Sequence, residues 1–355
     1  VSAERDLDRP ARDRSELVDL LEEHLLGEAP SLTGAQVADE VGLDLDVARE
    51  RWRSLGFPAV GDDVVAFTRA DLEALRRTEE LIGLGVVDGE DQHALVRSLG
   101  RSFARLAEWQ MGLLARAVDP ERMTLAEMAA LVEQVTPSVD ALQSYVWRRH
   151  TLLAASRMVL AQEAAHETAQ ESGQESGQGS GREGDAGAPG DDVEGTVTGV
   201  GFADIVGYTK QSRSLSRREL ARLVDHFEGR ALEIVTEHEG RIIKTIGDEI
   251  MLVADTPGAL ARIGLALVAE GERDDFPDLR VGLAWGPALA RLGDVLGPVV
   301  NLAARLTSTA RPGTVLIDRA LAEQLDDDPE VSLRRIGRTS VRGYRRLEPW
   351  RLKWR

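Results

Sequence analysis

The sequence predicts an α+β protein: an all-α N-terminal half, then a C-terminal sheet covered by helices on one face, of the ferredoxin-like kind. Three observations carry this. From roughly residue 15 to 160, apolar positions recur at helical spacing with little β-branched clustering. From Gln162 to Glu194 the composition shifts abruptly to Gly, Ser, Gln and Glu, as a flexible acidic linker does. Beyond the linker, short apolar runs alternate with amphipathic helical stretches. The expected domains are therefore 1–161, all-α, and 195–355, α+β, joined by 162–194.

Within the C-terminal half, Val197 to Ile205 reads as a strand and Arg217 to His238 as a helix. Arg241 to Ala254 reads as a hairpin turning at Ile246, Gly247 and Asp248. Pro257 to Glu270 is a predicted helix, Leu279 to Leu292 strand, Val299 to Ala310 helix and Thr314 to Asp318 strand. The arginine-rich end, Leu333 to Arg355, is expected to form an exposed closing hairpin with Trp350 and Leu352 alternating against arginines. In the N-terminal half, Leu32 to Pro58 reads as a helix-turn-helix with Gly42 at the turn and Val37, Ala38, Val47 and Leu55 at core spacing. Phe67 to Leu84 continues as a helix, and further helices fall at Phe103 to Val118 and Leu125 to Leu160.

A chain of 355 residues exceeds one ordinary core, which agrees with two domains. It has no cysteine, so disulfides, thiolate metal sites and cysteine nucleophiles are excluded; oxygen-ligated hard metals remain. A net charge of −18 argues against nucleic acid or anionic membrane as a partner, although Arg49, Arg51 and Arg53 stand on the second helix of the helix-turn-helix. No apolar run is long enough to span a membrane and no signal peptide is evident, so a cytoplasmic location is expected.

Three clusters carry the candidate chemistry. Asp204 in GFADIVGYT and Asp248 in KTIGDE stand at predicted strand ends, where a carboxylate pair can share metal. Each alone also fits a turn aspartate beside glycine. After Asp204 the chain bends past Gly207 toward the helix containing Leu220; backbone N–H groups around Gly207, Tyr208 and Thr209 could face a phosphate, though such a glycine is equally an ordinary turn. In GDVLGPVVNLAARL, Asn301 and Arg305 are four apart and share one helix face, beside the packing stripe of Val300, Leu302, Ala303 and Leu306.

Together, and in order from about Gly199 to Arg346, these clusters resemble the catalytic domain of class III nucleotide cyclases. The resemblance implies an adenylyl cyclase acting on ATP as a homodimer, with two Mg²⁺ or Mn²⁺ ions per active site held by Asp204, Asp248 and the Ile205 carbonyl. It implies that Lys244 contacts the adenine ring and Asp294 its amino group, while Asn301 orients the ribose and Arg305 meets the transition-state phosphate. In the family the metal aspartates of one subunit face the base and ribose residues of the other. The N-terminal half resembles the regulatory domain of actinobacterial soluble adenylyl cyclases, some autoinhibited and pH-responsive; His93, His150 and His166 are the candidate titrating groups. Lys244 and Asp294 oppose a guanylyl cyclase, and the absence of a Gly-Gly-(Asp/Glu)-Glu-Phe turn opposes a diguanylate cyclase. A DNA-binding regulator with a degenerate cyclase domain is the reading from another class.

Overall fold

The computed structural model describes residues 14–85, 89–117, 123–175, 196–273, 275–291, 293–337, 339–341 and 344–355. The chain divides into two compact units, residues 1–185 and 186–355. Among the described residues no helix is long and apolar enough to cross a membrane.

The first unit runs α1 (Arg14–Leu26), β1 (Leu32–Thr33), α2 (Gly34–Val41), α3 (Leu45–Ser54), β2 (Val65–Phe67), α4 (Arg69–Gly83), α5 (Gly89–Ala117) and α6 (Leu125–Glu175). Local signals start its helices. Thr33 and Thr68 each close a capping box, with Gln36 and Asp71 respectively, and Asp44 caps α3. The helix-turn-helix is present as α2 and α3, with Gly42 ending α2 in the left-handed region at φ 78°. Three expectations need correction. The unit is not purely α, because β1 pairs antiparallel with β2. Val47 is exposed at 37%; of the expected core positions Val37 and Ala38 are buried, and Val37 packs with Phe67 and Leu72. The backbone of α6 also continues to Glu175, into the stretch read as linker: Ala, Gln and Glu there are good helix formers, which a compositional reading grouped with Gly and Ser. The rest of that stretch, 176–194, lies outside the described residues.

The second unit runs β3 (Thr196–Ile205), α7 (Tyr208–Ser214), α8 (Arg217–Glu237), β4 (Gly240–Ile246), β5 (Glu249–Ala254), α9 (Pro257–Glu270), β6 (Leu279–Arg291), β7 (Asp294–Leu296), α10 (Pro298–Thr309), β8 (Thr314–Ile317), α11 (Arg319–Gln324), β9 (Val331–Arg335), β10 (Thr339–Val341), β11 (Tyr344–Leu347) and β12 (Trp350–Trp354). The main sheet has the order β4-β5-β3-β6-β8-β12-β9, with β7 paired to β6. Its β4-β5-β3-β6 part, with α8 and α9 as crossovers, is the ferredoxin-like βαββαβ arrangement.

Helices cover both faces of this sheet, not one. Ala203, Ile205, Leu252 and Leu283 pack with residues of α8, α9 and α11. On the other face Val200, Phe202, Met251 and Ala284 pack with Val299, Ala303 and Leu306 of α10. Because β3 is buried on both sides, its apolar run is continuous and carries no alternation to reveal a second layer. The close approach of α10 depends on Gly282, where a Cβ would stand 2.2 Å from Thr307 N and 2.5 Å from the Ala303 oxygen. The C-terminal segment also differs from an exposed closing hairpin. β12 is an interior strand between β8 and β9, and Leu352 is buried in the core.

Candidate active site

The sheet brings two of the sequence clusters together at the β3 end. Asp204 is the penultimate residue of β3, only 8% exposed, and faces Glu249 of β5 on one side and Arg280 of β6 on the other. Asp248 lies in the two-residue turn between β4 and β5, where Gly247 takes φ 68°, a conformation costly to any residue with a Cβ. A backbone bond ties the two: Ile205 N–H donates to the Asp248 carbonyl at 3.1 Å.

The electrostatics of this corner are those of a cation site. Asp204 is paired with Arg280, whose Nε donates to Asp204 Oδ2 at 2.6 Å. Three carboxylates nevertheless share that one guanidinium. Burial, and then the charge of Asp204, raises the Asp248 carboxyl above its usual range. Glu249 is pushed up to about 7 by burial first and by Asp204 and Asp248 next, with Arg280 opposing. Hard divalent cations would relieve this crowding, so the donors fit Mg²⁺ or Mn²⁺. Among the described residues no three His, Asp or Glu side chains form a ready cage for a metal.

The third and fourth candidates meet on the face covered by α10. Lys244 Nζ donates to Asp294 Oδ2 at 2.5 Å, and Val295 N–H donates to Asp294 Oδ1 at 2.8 Å. Burial would raise the Asp294 carboxyl, but these two hydrogen bonds outweigh it and hold it below its usual range. Asn301 and Arg305 are exposed on α10, and neither side chain has a partner among the described residues. Pro298 at the start of α10 and Gly297 before it set the helix entry, as Pro at the first turn does.

The phosphate-loop expectation needs amendment. After Ile205 the chain does not pass directly into the helix of Leu220, which is α8. It first makes the short α7, with Gly207 at φ 75° ahead of it. The Tyr208 ring is half-buried against the core, while Thr209 is exposed. Sequence reasoning missed Glu249 and Arg280. Glu249 adjoins Asp248 in the motif itself; Arg280 was hidden because its pairing with Asp204 depends on the β3–β6 register, 76 residues apart.

In the first unit, Arg49 is paired with Asp46 and Asp62 and Arg51 with Glu79, and Arg53 Nε donates to the Arg49 carbonyl at 3.3 Å. Arg49 and Arg51 serve the module's own carboxylates. Of the histidine candidates, His150 is exposed on α6; the side chains of His93 and His166 lie outside the described ones.

The class of the second unit is that of a nucleotide cyclase catalytic domain, which comparison with known proteins gives. Residues 194–353 match the adenylate and guanylate cyclase catalytic domain, and residues 7–169 the adenylate cyclase regulatory domain. An adenylate cyclase of Glutamicibacter nicotianae is 38% identical over 94% of this chain and 81% of its own length. One of Streptomyces coelicolor is 36% identical over 86% and 74%, and a pH-sensitive adenylate cyclase of Mycobacterium tuberculosis is 33% identical over 87% and 74%. The chain belongs to the adenylate cyclase family, with a regulatory domain ahead of the catalytic one.

Proposed function

We propose that the chain converts ATP to 3′,5′-cyclic AMP and pyrophosphate in the cytoplasm, as a homodimer with composite sites controlled by the N-terminal domain. The observation that carries this is the Lys244–Asp294 pair, held at 2.5 Å. It offers one donor and one acceptor side by side, the pattern that the adenine ring nitrogen and exocyclic amine require and guanine reverses.

In this reading Asp204, Asp248 and the Ile205 carbonyl hold two Mg²⁺ or Mn²⁺ ions. Bound there, the ions would neutralise the phosphates and ease ionisation of the ribose 3′-hydroxyl. Lys244 and Asp294 fix the base, Asn301 orients the ribose, and the backbone at Gly207, Tyr208 and Thr209 lies along the phosphates. The 3′-oxygen bonds to the α-phosphorus as the bond from that phosphorus to the bridging oxygen breaks, pyrophosphate leaves with that oxygen, and the hydroxyl proton passes to solvent or a phosphate oxygen. Arg305 meets the charge that grows on the phosphate oxygens, the kind of preorganised donor that lowers such barriers most.

The test is cyclic nucleotide production from ATP and GTP by the full chain and by residues 194–355. Cyclic AMP from ATP, at rates differing between the two, is expected. Arg305→Ala should cut the rate about 100-fold to 1,000-fold. Mixing Lys244→Ala with Asp248→Ala chains should restore activity above either variant alone; a mixture no more active than its components would overturn the composite dimer.

A further inference from the structure

The second unit carries a basic groove outside the site just described. It has a volume of about 420 Å³, within the range of small-molecule sites, about 300–1,000 Å³. Thr309 at the end of α10, Arg311, Thr314 of β8, Arg334 and Arg335 of β9, and Arg351 of β12 line it. Among the described residues no carboxylate does, in a chain with a net charge of −18.

The arrangement is one that a folded chain has reason to avoid. Arg351 stands directly opposite Arg334 on one side and Leu316 on the other, so the two guanidinium stems share the sheet face that α10 covers. Like charges directly opposite each other on neighbouring strands are destabilising. Arg335 is matched by Glu348 at 2.5 Å. Among the described residues Arg311, Arg334 and Arg351 have no acidic partner, and Arg351 Nε is buried without a hydrogen bond. A buried donor left unmade costs about 1–3 kcal/mol. Three guanidiniums, one of them with an orphaned buried N–H, therefore converge on one space that calls for a polyvalent oxyanion, while the Thr309 and Thr314 hydroxyls already donate to the Arg305 and Arg311 carbonyls.

We propose that this groove binds a diphosphate group. A diphosphate near neutral pH carries about three negative charges, which match three guanidiniums, and the planar forks suit paired phosphate oxygens. Inorganic pyrophosphate and the diphosphate end of a nucleotide share this chemistry. The groove lies one helical turn beyond Arg305, whose carbonyl accepts from Thr309 Oγ1 at 2.8 Å. Its argument stands on the groove alone and not on the role proposed for Arg305.

The experiment is thermal melting and calorimetric titration of the full chain in chelator, with sodium pyrophosphate, ADP, or sodium sulfate at matched ionic strength. Pyrophosphate is expected to raise Tm in the parent and in Arg305→Ala alike, and affinity should fall at least tenfold in Arg334→Gln and Arg351→Gln. Without anion, Arg334→Gln should melt no lower than the parent, since a repulsive pair is gone. Should Arg351→Gln fail to fold, the exposed Arg334→Gln and Arg311→Gln carry the test. ADP binding like pyrophosphate supports recognition of the diphosphate alone; ADP binding tenfold tighter supports a nucleotide as its source. No response in the parent overturns the proposal, as does an equal response to sulfate. Loss of the response in Arg305→Ala with retention in Arg334→Gln overturns it too, because the other site would then be the binder.

Discussion

The two units differ in how much of their apolar surface they bury. In the catalytic unit the sheet is closed on both faces, and Leu252, Ile263, Leu283 and Leu306 are wholly buried. In the regulatory unit the buried clusters are small, around Leu20 and Leu125 and around Val37 and Phe67, while Phe103, Trp109 and Trp147 stay 52%, 62% and 65% exposed. One unit is held by a long-range core. The other is a set of helices begun by good local caps and long runs of helix-forming residues, with less packing behind them.

That contrast sets an order of expected effects. Leu283→Ala removes a wholly buried side chain and should cost about 2–5 kcal/mol, read by denaturant unfolding of the catalytic unit. Truncating the exposed Trp147 to Ala should change stability by about 0.5 kcal/mol or less. A loss at Trp147 as large as that at Leu283 would break the comparison and mean that α6 is covered in solution.

The next effect is a pH dependence confined to the catalytic unit. The Glu249 carboxyl sits at about 7 in the folded chain, raised by burial and by its neighbours Asp204 and Asp248, against an ordinary value of 4.5. The folded state therefore holds this proton more tightly than the unfolded state. Stability without divalent cations should fall as pH rises from about 5 to about 7, as the linkage requires. Glu249→Gln should flatten that slope in melts taken in chelator; an unchanged slope would place the titration elsewhere.

A local effect, between those expected at Leu283 and at Trp147, belongs to the regulatory unit. Thr68 is wholly buried, caps α4 and exchanges hydrogen bonds with Asp71. Thr68→Ala should cost about 1 kcal/mol, read as a lower melting midpoint of the full chain's first transition.

Much of the candidate site was legible because its residues lie within short motifs. Asp248 follows Gly247 in a two-residue hairpin turn, and Asn301 and Arg305 are one helical turn apart; both relations are local and follow from backbone geometry. The same locality made α2, α3, α8 and α10 readable from apolar spacing. The helical part of 162–175 was misread for a related reason: composition averages over residues that singly favour helix.

What the sequence by itself determined is the order of strands and helices, the turn that presents Asp248, and the set of polar residues available for chemistry. Only the tertiary structure decided that Arg280 pairs with Asp204, that Lys244 meets Asp294 fifty residues on, that α10 covers a second face, and that β12 enters the sheet beside Arg334. Each of these is a choice of strand register or of helix face. Periodicity states that a residue faces a layer; packing between distant segments decides which layer and which neighbour.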